Sequence, residues 1–431
     1  MKMENKNKIS QVVKDNLCTG CGTCYAMCPK EAISMEINEK KGIYEPVIDE
    51  SKCNNCGICY EVCPGHAVDF EQLNSEIFGK EPEDILIGNY LNCYIGYSTD
   101  YDIRYNSSSG GLATQLLIFA LEEEIIDGAL VTRMKKDKPL EPEPFISRTR
   151  EEVIEARGSK YCPVPANIAL KEILESEEEK FAVVGLPCHI HGIRKAEQIN
   201  KKLKEKIVLH VGIFCAKAIS FLGTEFQLKR MEVKKEEVEK LDYRGEGWPG
   251  SMTIQLKNKQ RKLSELYYYY YDSKFGSFVP WRCTLCSDAA CELADISFGD
   301  AWLPEIVEHD KIGTSLIVTR NEESDNILLQ MISQSKIELN EITHNKVAIS
   351  QGGMLWKKRD LKARLTLSKL LGKKVPIYNQ KLLKPKFKTY LSTIHFHLLT
   401  FLASNSRLWK LLDLYLALIS YASYIKSKLK I

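Results

Sequence analysis

The sequence predicts three parts: a small α+β domain at the N-terminus, an α/β body, and a helical, basic C-terminal tail. A cysteine-rich motif is repeated at an offset of 35 residues within the first 70 residues. Short apolar runs then alternate with segments of helical periodicity. Basic residues dominate after residue 353. The length of 431 residues is sufficient for two or three domains.

Composition and cysteine count limit the class of protein. The chain is 44% hydrophobic and 27% charged, which excludes a disordered chain and a polytopic membrane protein. It has 15 cysteines, and its first ten residues are polar and charged, without the apolar core of a secretory signal. We therefore expect a cytoplasmic protein whose cysteines serve metal or redox chemistry rather than disulfides.

The N-terminal repeat has the spacing of iron–sulfur ligands. The pattern Cys-x2-Cys-x2-Cys-x3-Cys-Pro begins at Cys18 and again at Cys53. In the two-cluster arrangement with this spacing, the fourth cysteine of each run binds the other cluster. The spacing predicts a first set (Cys18, Cys21, Cys24 and Cys63) and a second set (Cys53, Cys56, Cys59 and Cys28), each for one 4Fe-4S cluster. Structural zinc sites are the alternative, but two tandem runs of four cysteines are untypical of them. Residues 1–70 resemble a two-cluster bacterial ferredoxin, with a hairpin expected over Lys40–Asp49.

The pattern changes after residue 70. Residues 71–92 are predicted to be a polar linker, and residues 93–353 an α/β body. We expect a helix over Leu112–Ile126 and strands over Phe181–Gly185, Ile207–Phe214, Ser251–Leu256 and Ser315–Thr319. The aromatic run Tyr267–Tyr271 is interpreted as a core or edge strand rather than a stacking platform.

Four further cysteines form a third set. Cys188 and Cys215 each follow a predicted strand, and Cys283 and Cys286 form a Cys-x2-Cys pair. Ligands of open α/β sheets collect beyond the carboxyl ends of strands. A third cluster is therefore predicted, although the spacing alone leaves zinc open.

The body resembles a known family. Its motifs are Tyr105–Gly111, Gly158–Tyr161, Gly185–Cys188, Tyr243–Gly250, Cys283–Cys286 and Ala294–Asp300, in this order. Together they resemble the beta subunit of coenzyme F420 hydrogenase/dehydrogenase, where F420 is a deazaflavin hydride carrier. The resemblance implies FAD and a 4Fe-4S cluster held by the third set. The expected fold is thus an α+β ferredoxin-like two-cluster domain, an α/β flavin-binding body and a helical basic tail.

The resemblance also suggests flavin and substrate residues. Ser109, Gly110, Gly111 and Thr114 are assigned to the FAD pyrophosphate region, because glycines and a helix start admit phosphate. An ordinary helix cap is the alternative. Lys160, Tyr161, Arg244 and Trp248 are candidates for the flavin ring and hydride-carrier pocket, against a purely structural role.

Two other residues are alternative ligands for the predicted third cluster. The family usually has Gln where His189 stands, and Cys291 is an additional cysteine, so either residue could replace a ligand. Cys93 and Cys162 are interpreted as buried, inert thiols. The sequence contains no Walker motif, no Gly-x-Gly-x-x-Gly motif and no hydrolase triad pattern.

The tail, residues 354–431, holds 17 Lys+Arg and two acidic residues, whereas the rest of the chain has a net charge of −12. Its apolar stretches between lysine clusters favour amphipathic helices on an anionic membrane surface, at the inner face of the cell membrane. The alternative is a helical hairpin packed on the body or on a partner. Nucleic acid binding is not expected, because no recognised fold accompanies the charge.

These features predict an iron–sulfur flavoprotein oxidoreductase. It would transfer electrons between 4Fe-4S clusters and a hydride carrier such as reduced coenzyme F420 through FAD. The alternative is an electron-transfer subunit without its own substrate that feeds a partner enzyme. Expected partners are a hydride carrier or small redox substrate, and an external ferredoxin or redox subunit.

Overall fold

The computed structural model describes residues 8–264, 277–352 and 355–428. The predicted strand Tyr267–Tyr271 lies outside these residues. The N-terminal domain contains two cysteine loops, each followed by a one-turn helix that begins after a glycine with positive φ, 89° at Gly22 and 85° at Gly57. Its elements are α1 (Ile9–Lys14), α2 (Thr23–Ala26), β1 (Ile33–Asn38), β2 (Ile43–Ile48), α3 (Ile58–Glu61) and β3 (Ala67–Asp69). The antiparallel pair β1–β2 forms a hairpin, but its first strand lies before the predicted bounds Lys40–Asp49.

The predicted linker is wrong over its first part, where helix α4 (Phe70–Phe78) forms. The Asp69 carboxylate caps this helix by accepting a hydrogen bond from the Gln72 amide at 3.0 Å. Phe70 and Leu73 are buried in the same apolar cluster as Val62 and Val68. The segment is polar overall, so its sequence did not predict the buried apolar face of α4.

The body is built on an eight-stranded mixed sheet. Its elements are β4 (Cys93–Ser98), α5 (Tyr101–Asn106), α6 (Leu112–Glu122), β5 (Gly128–Met134), β6 (Pro142–Ser147), α7 (Arg150–Glu155), α8 (Leu170–Glu175), β7 (Phe181–Gly185), α9 (Pro187–Ile199), α10 (Lys201–Lys206), β8 (Ile207–Ile213), α11 (Phe221–Arg230), β9 (Val238–Asp242), β10 (Met252–Leu256), β11 (Arg261–Ser264), α12 (Trp281–Thr284), β12 (Ile296–Asp300), α13 (Pro304–His309), β13 (Ser315–Thr319), α14 (Glu322–Ser333), β14 (Ile337–Glu341) and α15 (His344–Ser350). The strand order is β14-β4-β13-β12-β8-β7-β5-β6, and β9, β10 and β11 form a separate antiparallel sheet.

The centre of the large sheet is parallel. Strands β5, β7, β8 and β12 run in one direction, and the outer strands pair antiparallel. Phe181 and Val183 of β7 face one apolar cluster, and Ala182 faces another on the opposite side. Both faces are covered, which explains why these strands are uninterrupted apolar runs in the sequence. The four predicted strands are present to within one residue, and the predicted helix is α6, which ends at Glu122, four residues before the predicted end at Ile126.

The C-terminal tail is not a separate appendage. It comprises a π-helical turn (Leu355–Arg359), α16 (Leu361–Leu370), β15 (Ile377–Asn379), α17 (Phe387–Ala403) and α18 (Trp409–Lys428). Strand β15 pairs in parallel with β3 of the N-terminal domain. The Trp409 ring meets Phe226 and Phe278 edge-on, at centroid distances of 5.3 and 5.6 Å. The tail therefore contains the packed hairpin that the sequence left as the alternative.

No helix in residues 8–264, 277–352 or 355–428 is long and apolar enough to cross a membrane.

Candidate functional site

The first cysteine set surrounds a small internal cavity. Cys18, Cys21, Cys24 and Cys63 line it, together with Ile9, Thr19, Gly22 and Met35. The amides of Gly20 and Gly65 lie 3.3 Å from the sulfurs of Cys18 and Cys63 and donate to them. Burial raises the pKa of Cys18 and Cys24 well above the ordinary value, and that of Cys63 to about 11. Thiolates here need a compensating cation, which iron would supply.

The second set surrounds another cavity nearer the surface. Cys28, Cys53, Cys56 and Cys59 all line it, and Cys56 is exposed. The Ala32 amide donates to the Cys28 sulfur at 3.3 Å. The structure thus brings the eight cysteines together as the crossed arrangement predicts, and the ligand assignment stays a prediction. Over the described ranges, no three His, Cys, Asp or Glu side chains converge closely enough to hold a single metal ion.

The third set lies around the carboxyl ends of β7 and β8. Cys188 lies in the first turn of α9, Cys215 follows β8, and Cys283 lies in α12 with Cys286 just after it. Burial raises the pKa of Cys188, and Cys283, Cys21, Cys215 and Cys286 add to the effect in that order. The four cysteines are therefore neighbours, and Cys21 places the first set beside them.

The two competing ligands are held elsewhere. The His189 ring accepts from the Leu186 amide at 3.1 Å through Nδ1, and its Nε2 lies 3.0 Å from the Val164 carbonyl oxygen. Burial lowers the pKa of His189 to about 4, so the ring is neutral with Nε2–H donating. The Cys291 sulfur lies 3.7 Å from the Gly185 carbonyl oxygen, inside the apolar cluster against β7. Both contacts favour Cys188, Cys215, Cys283 and Cys286 as the third set.

A cavity of about 320 Å³ opens beside the third set. Its wall includes Cys215, the loop from Ser107 to Ser109, and the first turn of α6. Gly111 caps this helix at φ 76°, a left-handed conformation that favours glycine. Among the described residues, the buried Ser107 hydroxyl has no hydrogen-bond partner. A free hydroxyl and a helix N-terminus in one cavity wall fit a phosphate-bearing ligand.

The predicted pyrophosphate residues fall into two groups. Ser109, Gly111 and Thr114 line the cavity. Gly110 does not: its amide donates to the Ser315 hydroxyl at 2.9 Å. A Cβ on Gly110 would lie 2.5 Å from the Gly96 carbonyl oxygen. Gly110 is therefore needed for close packing of the loop on β4 and β13 rather than for access to a ligand.

Two partly buried lysines lie in the cavity wall. The Lys160 ammonium donates to the carbonyls of Arg157 and Gly158 at 3.0 Å each, and to that of Ala156. Burial lowers the pKa of Lys160 to about 8. Lys217, which the sequence analysis did not single out, also lines the cavity, and burial lowers its pKa to about 8. The sequence offered one clue to this role of Lys217, namely its position two residues after Cys215.

Tyr161 lines the cavity. Arg244 and Trp248 do not line it, but both bind the carboxylate of Asp300, which does. The Arg244 guanidinium donates to both Asp300 oxygens, at 2.9 and 2.8 Å. Trp248 Nε1 donates to Asp300 Oδ1 at 2.9 Å. Asp300 itself lines the cavity at the carboxyl end of β12. The sequence prediction missed this carboxylate, which anchors two of the predicted residues.

Cys93 and Cys162 are buried, as expected for inert thiols. Burial raises the pKa of Cys93 to about 11 and that of Cys162 to about 12, so both thiols stay protonated at neutral pH.

The N-terminal domain is fastened directly to the body beside these sites. The Asn167 amide donates to the Cys21 carbonyl at 2.9 Å, and its side chain donates to the Thr23 hydroxyl at 2.8 Å. Arg282 Nε donates to the Gly65 carbonyl at 2.7 Å. A Cβ on Gly192 would lie 2.2 Å from the Thr23 hydroxyl oxygen, so the close approach requires glycine there. The cysteine sets are thus held by one continuous structure.

Comparisons with known proteins agree with this architecture. A 4Fe-4S dicluster domain model matches residues 17–67. The models for the N-terminal and C-terminal parts of the coenzyme F420 hydrogenase/dehydrogenase beta subunit match residues 93–171 and 178–345. The chain belongs to the family of coenzyme F420 hydrogenase/dehydrogenase beta subunits. This confirms the predicted family and the N-terminal two-cluster domain.

Individual family members extend the likeness. The beta subunit of coenzyme F420 hydrogenase from Methanothermobacter thermautotrophicus is 30% identical over 272 residues, 61% of this chain and 88% of that protein. The coenzyme F420-dependent sulfite reductase of Methanocaldococcus jannaschii is 26% identical over 349 residues, 78% of this chain and 49% of that protein. A chain of the F420-reducing [NiFe] hydrogenase complex from Methanosarcina barkeri superposes with a TM-score of 0.54 at 25% identity, covering 68% of this chain and 98% of that chain. The family body is therefore present nearly whole.

Proposed function

We propose that this chain is an iron–sulfur flavoprotein oxidoreductase that exchanges electrons between 4Fe-4S clusters and a hydride carrier such as reduced coenzyme F420. One observation carries the proposal: Cys215 of the third set and the phosphate-compatible loop at Ser107 lie in the wall of one cavity. A cluster held by the third set would thus border any flavin bound there. The family membership supports the same chemistry.

The three cysteine sets follow one another from surface to cavity. Cys56 of the second set is exposed. Cys24 of the first set and Cys59 of the second pack in one apolar cluster. Asn167 donates to the Cys21 carbonyl and to the carbonyl of His189, which follows Cys188 of the third set. This order supports a route for single electrons between the protein surface and the cavity.

The cavity residues fit FAD. When bound, FAD would exchange the electron pair of a hydride for the single electrons that clusters carry. The Ser107 hydroxyl and the first-turn amides of α6 would bind its phosphates. Lys160 and Lys217 would place positive charge in the cavity wall, and Asp300 would fix Arg244 and Trp248 at its edge.

A partner redox protein is part of the proposal. Relatives are named as beta subunits of a coenzyme F420 hydrogenase and of an F420-dependent formate dehydrogenase. We propose that the exposed second set faces another subunit of such an assembly or an external ferredoxin. The alternative, a subunit without its own substrate, is disfavoured because the cavity lies beside the third set.

Anaerobic purification followed by iron, sulfide and flavin analysis tests this function. We expect about twelve irons, from three 4Fe-4S clusters, and one FAD per chain. Reduced F420, offered to the purified chain, should then reduce the clusters, as followed by their visible absorbance. Full iron without flavin would contradict the FAD assignment. Full iron and flavin without cluster reduction by a panel of hydride donors would favour the subunit that has no substrate of its own.

A second role is proposed for the hairpin of α17 and α18, because it carries an exposed apolar face opposite its packed one. The exposed side chains are Phe387, Leu391, Ile394, Leu398 and Phe401 on α17, and Leu411, Leu414 and Leu418 on α18. At 3.6 residues per turn, each group lies in one stripe. The lysines at 381, 384, 386 and 388 are exposed beside it. Lysine is depleted at protein interfaces but typical of helices on anionic lipid, so a membrane surface is the proposed occupant.

Vesicle sedimentation tests the membrane role. The full chain should sediment with vesicles containing phosphatidylglycerol and much less with phosphatidylcholine alone. The double variant Leu391→Ser/Leu398→Ser should lose this binding. A matched control, Leu329→Ser/Ile349→Ser, replaces two exposed apolar residues of the body and should retain it. Absence of binding to both vesicle types would contradict the role and point to a protein occupant.

A further inference from the structure

A segment outside the family matches closes over the third cysteine set. Residues 355–379, here called the strap, follow the last residue matched by the family models, residue 345. The strap starts with the turn Leu355–Arg359 and ends in β15, whose Ile377 pairs with Ala67 of the N-terminal domain. It therefore spans from the body to the domain that holds the first set.

The strap places a lysine among the third-set cysteines. Lys357 is 1% exposed, and its ammonium donates to the Asp288 carbonyl oxygen at 2.8 Å. The Cys286 sulfur lies 3.4 Å from the same oxygen. The ammonium and the Cys286 sulfur thus lie against the same carbonyl oxygen, next to the Cys283–Cys286 pair.

Arg364 fixes this lysine in place. Its guanidinium donates to the Lys357 carbonyl at 3.1 Å through Nη2 and to the Thr284 carbonyl at 2.5 Å through Nε. Thr284 lies between Cys283 and Cys286. The same buried guanidinium therefore joins the lysine-bearing turn to the cysteine pair, so the charge is held at a set position rather than on a mobile side chain.

We propose that Lys357 raises the reduction potential of the 4Fe-4S cluster held by the third set. The inference rests on the proposed function, which supplies that cluster. Reduction adds one electron to a centre that four thiolates already make negative. A fixed positive charge in a buried environment stabilises the reduced form more than the oxidised form. The strap would thereby make the third cluster the better electron acceptor, whether electrons arrive from the cavity or from the first set.

A redox titration of the holoprotein, followed by electron paramagnetic resonance, tests the inference. Lys357→Met removes the charge while keeping the length of the side chain, and Lys357→Gln provides a second neutral variant. Lys362→Met is the control, because Lys362 lies on the same strap but is exposed. We expect both Lys357 variants to disfavour reduction of the third cluster at least tenfold, which is about 59 mV for a one-electron couple. The other two clusters and the control should not shift.

The outcomes separate the inference from the function beneath it. A wild-type chain with only eight irons would reject the third cluster and the inference together. Twelve irons in every variant with an unchanged third midpoint would reject the inference alone. Loss of four irons from both Lys357 variants would also overturn it, because the lysine would then serve cluster assembly rather than potential.

Discussion

The ion pair between Arg244 and Asp300 offers a quantitative test of how the cavity edge is built. The Arg244 side chain is 1% exposed and Asp300 is 21% exposed. Asp300→Asn keeps an acceptor for Trp248 Nε1 but removes the charge that neutralises the guanidinium. Breaking a buried pair from one side costs about 3–5 kcal/mol. We expect about 3 kcal/mol, because Arg244 still donates to the Pro249 carbonyl at 2.6 Å and to the Tyr161 hydroxyl at 3.4 Å.

A double-mutant cycle isolates this effect. Adding Arg244→Met to Asp300→Asn removes the stranded charge and should recover at least about 1.5 kcal/mol of the loss. The assay is urea unfolding followed by tryptophan fluorescence, at matched iron and flavin content, since bound groups shift apparent stability. The losses of unfolding free energy in the two single variants should not sum to the loss in the double variant. If they do so to within about 0.5 kcal/mol, Asp300 does not neutralise Arg244 and the account of this edge is wrong.

Two further predictions concern the packed tail and the cavity lysines. Trp409→Ala should destabilise the protein to urea by about 3–5 kcal/mol because the indole fills a core against Phe226 and Phe278. Phe387→Ala, at a ring that is 79% exposed, should change stability by less than about 0.5 kcal/mol, and equal effects would contradict the packing. Lys217→Met should stabilise the protein most below pH 8, where the folded and unfolded chains both hold the proton on the partly buried, desolvated wild-type lysine. This advantage should decline as the pH rises from about 8 toward the unfolded value of 10.5, and a gain independent of pH would refute the buried charge.

The cysteine sets were accessible from the sequence because ligand spacing is a local property. The crossed grouping of Cys28 and Cys63 follows from the repeat alone. The strands that carry Cys188 and Cys215 were predictable because burial on both faces leaves an uninterrupted apolar run.

The remaining features depend on contacts between distant parts of the chain. Charge counting could not show that Lys357 and Arg364 are buried beside the third set. Likewise, Gly110 could be assigned to a ligand only because its close approach to Gly96 was not visible in the sequence. Arg244 does not line the cavity, and the cavity-wall carboxylate that it binds, Asp300, comes from a strand more than 50 residues later.

Iron analysis of Cys188→Ala tests the central claim most directly. If Cys188, Cys215, Cys283 and Cys286 hold a third cluster beside the cavity, the variant should lose about four of twelve irons and keep eight. Cys93→Ala, at a buried thiol outside all three sets, should keep all twelve. A Cys188→Ala protein with the same iron content as wild type, and the same cluster signals, would contradict the electron route that joins the N-terminal clusters to the cavity.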